Sequence, residues 1–88
     1  MNGRALIAAN LRRLRLLKGY SLERLAHEAG VDMPYVWKLE QAAANPTIDI
    51  LDKLASTLTV PVGDLLHPVD PDATEPPPLP RGKAAHRQ

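Results

Sequence analysis

Two glycines, Gly19 and Gly30, each followed at two residues' distance by a short polar side chain, constrain this chain most. Glycine accepts the left-handed backbone that closes a helix. Ser21 and Asp32 then offer the oxygen that opens the next one. The run GYSLERLAHEAGVDMPYVWKL, Gly19 to Leu39, therefore predicts two short helices joined at Gly30.

The flanking residues extend the helical pattern. Over residues 4–18, Ile7, Leu11 and Leu14 recur at spacings of four and three, one apolar stripe. In the second helix Leu22, Leu25, Ala26 and Ala29 take the apolar positions, and Glu23 suits the positive end of the helix dipole. The third runs from Met33 to about Ala42, with Pro34 tolerated in its first turn and Val36 and Leu39 facing inward. AAANP ends it, because Pro46 disfavours helix at Asn45. Thr47 caps a fourth helix that places Ile48, Leu51, Leu54, Ala55 and Leu58 on one face. Pro61 opens a short fifth helix ending near Leu66.

Composition changes after His67. Residues 68–88 hold six of the nine prolines and only Val69 and Leu79 as large aliphatics. Such a segment buries too little surface to offset its ordering entropy. The expected organisation is an all-α domain over 1–67 and a disordered proline-rich tail over 68–88. PPPLPR at 76–81 has the form of a polyproline ligand, but a plain flexible tail is the leading reading over a dedicated docking motif.

With 88 residues, one small domain is the ceiling. Its core must be aliphatic, since Phe is absent and Tyr20, Tyr35 and Trp37 are the only aromatics. Tyr20 belongs to the core or to helix packing. The absence of Cys excludes disulfides, thiol catalysis and Cys-based metal sites. His27, His67 and His86 are scattered and form no metal cluster. No catalytic triad, phosphate loop or carboxylate pair is visible, so neither an enzyme nor a cofactor is expected. No apolar run reaches a membrane span of ~20 residues, and no signal peptide is seen. A cytoplasmic protein with no membrane partner is the expectation.

Net charge is +1, unevenly spread. The first twenty residues hold Arg4, Arg12, Arg13, Arg15 and Lys18 and no acid. These cations are either the solvated face of the first helix or phosphate contacts, with Arg12, Arg15 and Lys18 the candidates.

LRRLR at 11–15, Gly19-Tyr20-Ser21, Leu25-Ala26, Ala29-Gly30-Val31, Lys38-Leu39-Glu40, Asn45-Pro46-Thr47 and the ending Val60 to Leu66 together resemble the Cro/C1-type (XRE) helix-turn-helix family, over residues 4–66. The resemblance implies a five-helix bundle whose third helix enters the DNA major groove while the second crosses above it. It also implies that dimers form through the last helices, so Val62, Leu65 and Leu66 either make a dimer seam or close the bundle. Monomer and homodimer both remain open.

The chain departs from the family where DNA would lie. Leu22 stands where Gln is usual, Met33 and Pro34 where polar or basic residues open the reading helix, Trp37 where Ser is frequent, and Ala42-Ala43-Ala44 where the loop is often basic. Base edges are read by donors and acceptors, which Leu22, Met33 and Pro34 lack. Pro34 also removes an N–H from the helix start, where phosphates bind. Met33 and Trp37, four apart, share a face with Leu22 beside them, and Leu16 and Leu17 add apolar surface nearby. Exposed apolar patches mark interaction surfaces, and Trp, Tyr and Met are enriched in interfaces.

The leading expectation is a transcriptional regulator that contacts another regulator protein, as an antiactivator does. Leu22, Met33, Pro34, Tyr35 and Trp37 would be its anchors and Lys38 its polar rim. The alternative is a DNA-binding repressor or activator with Tyr35 and Lys38 reading the operator, Met33 touching a thymine methyl or Trp37 folding over the core. An antitoxin is a third possibility.

Overall fold

A computed structural model describes residues 1–69; the expectations for PPPLPR and for the tail from residue 70 onward lie outside them. The element order is α1 (Gly3–Lys18), α2 (Leu22–Ala29), α3 (Met33–Glu40), α4 (Ile48–Leu58) and a 3-10 helix (Val62–Leu66), with no strand among the described residues. The expected fifth α-helix is thus a 3-10 turn. Five residues leave too little length for a stable α-helix, and the Asp64 N–H reaches only back to the Pro61 carbonyl, at 3.0 Å.

Each start has a local cause. The side chains of Asn2, Ser21 and Thr47 accept from the N–H groups of Ala5, Arg24 and Ile50 and cap α1, α2 and α4. Asp32 occupies the same position before α3 but makes no side-chain cap bond, contrary to expectation. The N–H groups of Tyr35 and Val36 bond to its carbonyl instead.

All four helices end alike. A left-handed residue closes each one: the C-cap itself in α1, α2 and α4 (Gly19, Gly30, Thr59), and Ala42, one past the cap Gln41, in α3. The next N–H reaches five residues back: Tyr20 to Arg15, Val31 to Ala26, Ala43 to Lys38 and Val60 to Ala55. Gly19 and Gly30 adopt the positive φ freely. Ala42 (φ 58°) and Thr59 (φ 63°) adopt it against their Cβ, at a cost of roughly 1–2 kcal/mol each. This closure also stops α3 at Glu40 rather than near Ala42.

The core joins Ile7 and Leu11 of α1, Leu25, Ala26 and Ala29 of α2, Val36 and Leu39 of α3, Leu51, Leu54, Ala55 and Leu58 of α4, and Leu65. Leu14 and Tyr20 pack against it half-buried. α1 lies against α3 and the 3-10 helix, and α2 against α3 and α4. Ile48, expected inward, is 65 % exposed. Side chains lean toward a helix N-terminus, so a first-turn residue overhangs the helix end and leaves the stripe. Leu65 is fully buried and closes the bundle, whereas Val62 and Leu66 stay exposed.

Two polar links fasten the layers. Buried Asn10 donates through Nδ2 to the carbonyls of Leu65 (3.1 Å) and His67 (2.9 Å), and its Oδ1 accepts from Arg13. Arg15 forms a two-point pair with Glu40 at 2.6 and 3.0 Å and donates to the Tyr20 carbonyl at 2.9 Å. That pair ties α1 to the last residue of α3.

Candidate functional site

α3 buries Val36 and Leu39, so helical geometry turns Met33 and Trp37 outward one turn apart. Met33 is 39 % and Trp37 49 % exposed. Pro34 and Lys38 are exposed as well. Of the residues expected to contact a protein partner, these four are exposed.

Two expected anchors are partly withdrawn. Leu22 and Tyr35 are half-buried against the core. Leu22 begins the stripe completed by Leu25, Ala26 and Ala29, which draws it inward. The Tyr35 hydroxyl donates to the Asn45 carbonyl at 3.4 Å, joining α3 to the loop before α4. Leu17 adds exposed apolar surface at the end of α1, while Leu16 is half-buried.

The basic run of α1 is divided. Arg15 is buried with its guanidinium engaged by Glu40 and Tyr20, so its place among the phosphate contacts is corrected. The spacing of four that sets Ile7 and Leu11 inward continues to position 15, and this was the signal for it. Arg12 and Lys18 are exposed. Lys18 Nζ donates to Thr59 Oγ1 at 2.9 Å and lies 5.5 Å from the centre of the Tyr20 ring.

On α2 the Arg24 guanidinium stacks 4.1 Å from the Tyr20 ring and bonds Glu28 at 2.8 Å, and the Tyr20 hydroxyl donates to the same carboxylate. The bond from Arg24, then that from Tyr20, holds the Glu28 carboxyl below its ordinary value; the same Glu28 bond raises Arg24. This exposed cluster braces α2 against the turn after α1.

Among the described residues, no group of three His, Cys, Asp or Glu side chains could hold a metal, and no helix is long and apolar enough to cross a membrane.

The helix-turn-helix family profile matches residues 11–65. The chain is 38 % identical over 64 residues to the HTH-type transcriptional regulator DdrOP3 of Deinococcus deserti, covering 73 % of this chain and 50 % of that protein. It thus spans half the length of that relative. The crystal structure of the hypothetical transcription factor NHTF from Neisseria superposes with a TM-score of 0.74 at 37 % identity, covering 76 % of this chain and 77 % of that one. A SinR–SinI protein complex contains a chain matching at TM-score 0.66 and 39 % identity, over 68 % of this chain and 59 % of that one. From its four helices, its 3-10 closure and the match over residues 11–65, this chain belongs to the Cro/C1-type helix-turn-helix family.

Proposed function

We propose that the protein is a cytoplasmic transcriptional regulator that acts by contacting another regulator protein, in the manner of an antiactivator. The observation that carries this reading is the outer face of α3, where Met33, Pro34 and Trp37 stand exposed and Lys38 is the single cation. A surface that reads bases needs bidentate donors and acceptors there. A protein interface takes exposed Trp and Met, buries them and leaves charge at its rim. The related SinR–SinI complex supports the reading, since a chain of this family there forms a complex with a protein. Tyr35 and Leu22, half-buried against the core, would offer the partner only their exposed edges. Exposed Val62 and Leu66 leave a second copy room to pair.

Direct DNA contact is the second reading. It is favoured by family membership and by the named regulators among the relatives. Lys38 on α3 would then read the operator, with Arg12 and Lys18 on phosphates.

Trp37 lies on the contested surface, so its fluorescence separates the two. The protein is titrated with duplex DNA from upstream of its own gene, at low and at moderate salt. Binding lost with salt, as unspecific phosphate contact is, is the expected result. It is accompanied by recovery of a regulator on the immobilised protein but not on Trp37→Ala. Saturable, sequence-dependent binding that survives moderate salt establishes the DNA reading instead.

A further inference from the structure

We propose that the groove between the α2–α3 turn and α4 receives an arginine or lysine side chain of the protein partner; this rests on the protein-contact reading above. The groove is lined by Gly30, Val31, Asp32, Tyr35 and Ile50 and has a volume of about 320 Å³. Val31, Tyr35 and Ile50 are half-buried and packed on the core, so they form a firm apolar lining. Asp32 is the one charged residue among the five. It is exposed, and its carboxylate makes no hydrogen bond or ion pair among the described residues. It does not even cap the helix it precedes.

An apolar trough ending at an unpaired carboxylate matches one side-chain chemistry. Arginine and lysine lay an aliphatic stem on apolar surface while the cationic head stays at a wet, anionic edge. A neutral apolar side chain would leave Asp32 unanswered, and an acidic group or a phosphate would be repelled by it. Arginine suits the site better, because its planar fork engages both carboxylate oxygens. Asp32 directly precedes Met33 in the chain, which sets the carboxylate of the groove at the start of the helix that carries the exposed patch.

The test uses the full chain labelled with 15N and two blocked peptides, acetyl-Leu-Arg-Leu-amide and the same sequence with neutral citrulline for arginine. The arginine peptide is expected to shift the amides of Gly30, Val31, Asp32, Tyr35 and Ile50 saturably. Its affinity should fall about two- to fivefold with citrulline or in Asp32→Asn, as for an exposed ion pair. Asp32→Asn leaves every cap and core contact in place, and its unchanged spectrum elsewhere verifies the fold. Equal shifts with both peptides, shifts spread over the surface, or no saturation overturn the proposal. So does several-fold tighter binding when Arg81, Lys83 and Arg87 are all changed to Gln, because the chain's own tail would then be the occupant. A silent titration beside Trp37-dependent recovery of a regulator removes the groove alone. Specific DNA binding beside a positive titration removes the surface reading alone.

Discussion

α2 and α3 are both eight residues long, and both follow an extended residue with a short polar side chain. They use that equal start differently. α2 caps its first turn with Ser21 and buries Leu25, Ala26 and Ala29. Its outer side carries Glu23, Arg24, His27 and Glu28. α3 leaves Asp32 uncapped, carries Pro34 in its first turn and exposes Met33 and Trp37. Each choice in α2 favours the isolated bundle. The choices in α3 forgo stability that capping and a polar face would supply, which is what a surface finished by another molecule looks like.

The sharpest way to break this comparison is to cut α3 loose. Arg15→Ala leaves Glu40 buried and alone, and unfolding free energy should drop by about 3–5 kcal/mol. Urea denaturation followed by circular dichroism measures it; a change below about 1 kcal/mol would mean that α3 holds its place without the pair. Next, matched truncations weigh the two helices. Leu25→Ala in α2 should cost about 2–5 kcal/mol. Trp37→Ala in α3 should cost no more than about 1 kcal/mol, yet weaken partner binding by at least about 2 kcal/mol, as an interface hot spot does. Equal losses of stability would place Trp37 in the core and erase the distinction.

Smaller effects separate the two helix starts. Ser21→Ala should cost about 1 kcal/mol, whereas Asp32→Ala should stay within about 0.5 kcal/mol, both read from thermal melts. The smallest effect lies in the charged face of α2. The Glu28 carboxyl sits below its ordinary value of 4.5 in the folded protein. Its contribution is therefore present above that value and fades as pH falls through the lower folded one. Glu28→Gln should flatten the acid limb of the stability profile slightly, and an unchanged limb would show that the Arg24–Glu28 bond adds nothing.

The bundle was largely legible because its signals are local. Ser21, Thr47, Gly19 and Gly30 announce helix ends, and the leucine spacing announces the buried faces. The residues that escaped depend on what lies opposite. Asn10 and Arg15 are polar types on inward positions, and only the carbonyls of Leu65, His67 and Tyr20 and the Glu40 carboxylate explain them. Ile48 fits the stripe by spacing and leaves it because the chain beneath has ended. For the surface, Met33 and Trp37 could be placed by period alone. The inward pull on Leu22 and Tyr35 could not, since it depends on how closely α2 and α3 pack.

The fastening made by Asn10 has a bearing on how such a protein can change over generations. It grips two main-chain oxygens, which every amino acid possesses. The position at its anchor, Asn10, has little freedom, and Leu65 is fixed by the core. Leu66 and His67, however, can be rewritten without loosening the clasp, provided the number of residues between α4 and His67 is kept. Drift at this rim is therefore nearly silent for folding. A lineage can alter what the end of the bundle presents to a neighbour while the bundle itself stays shut.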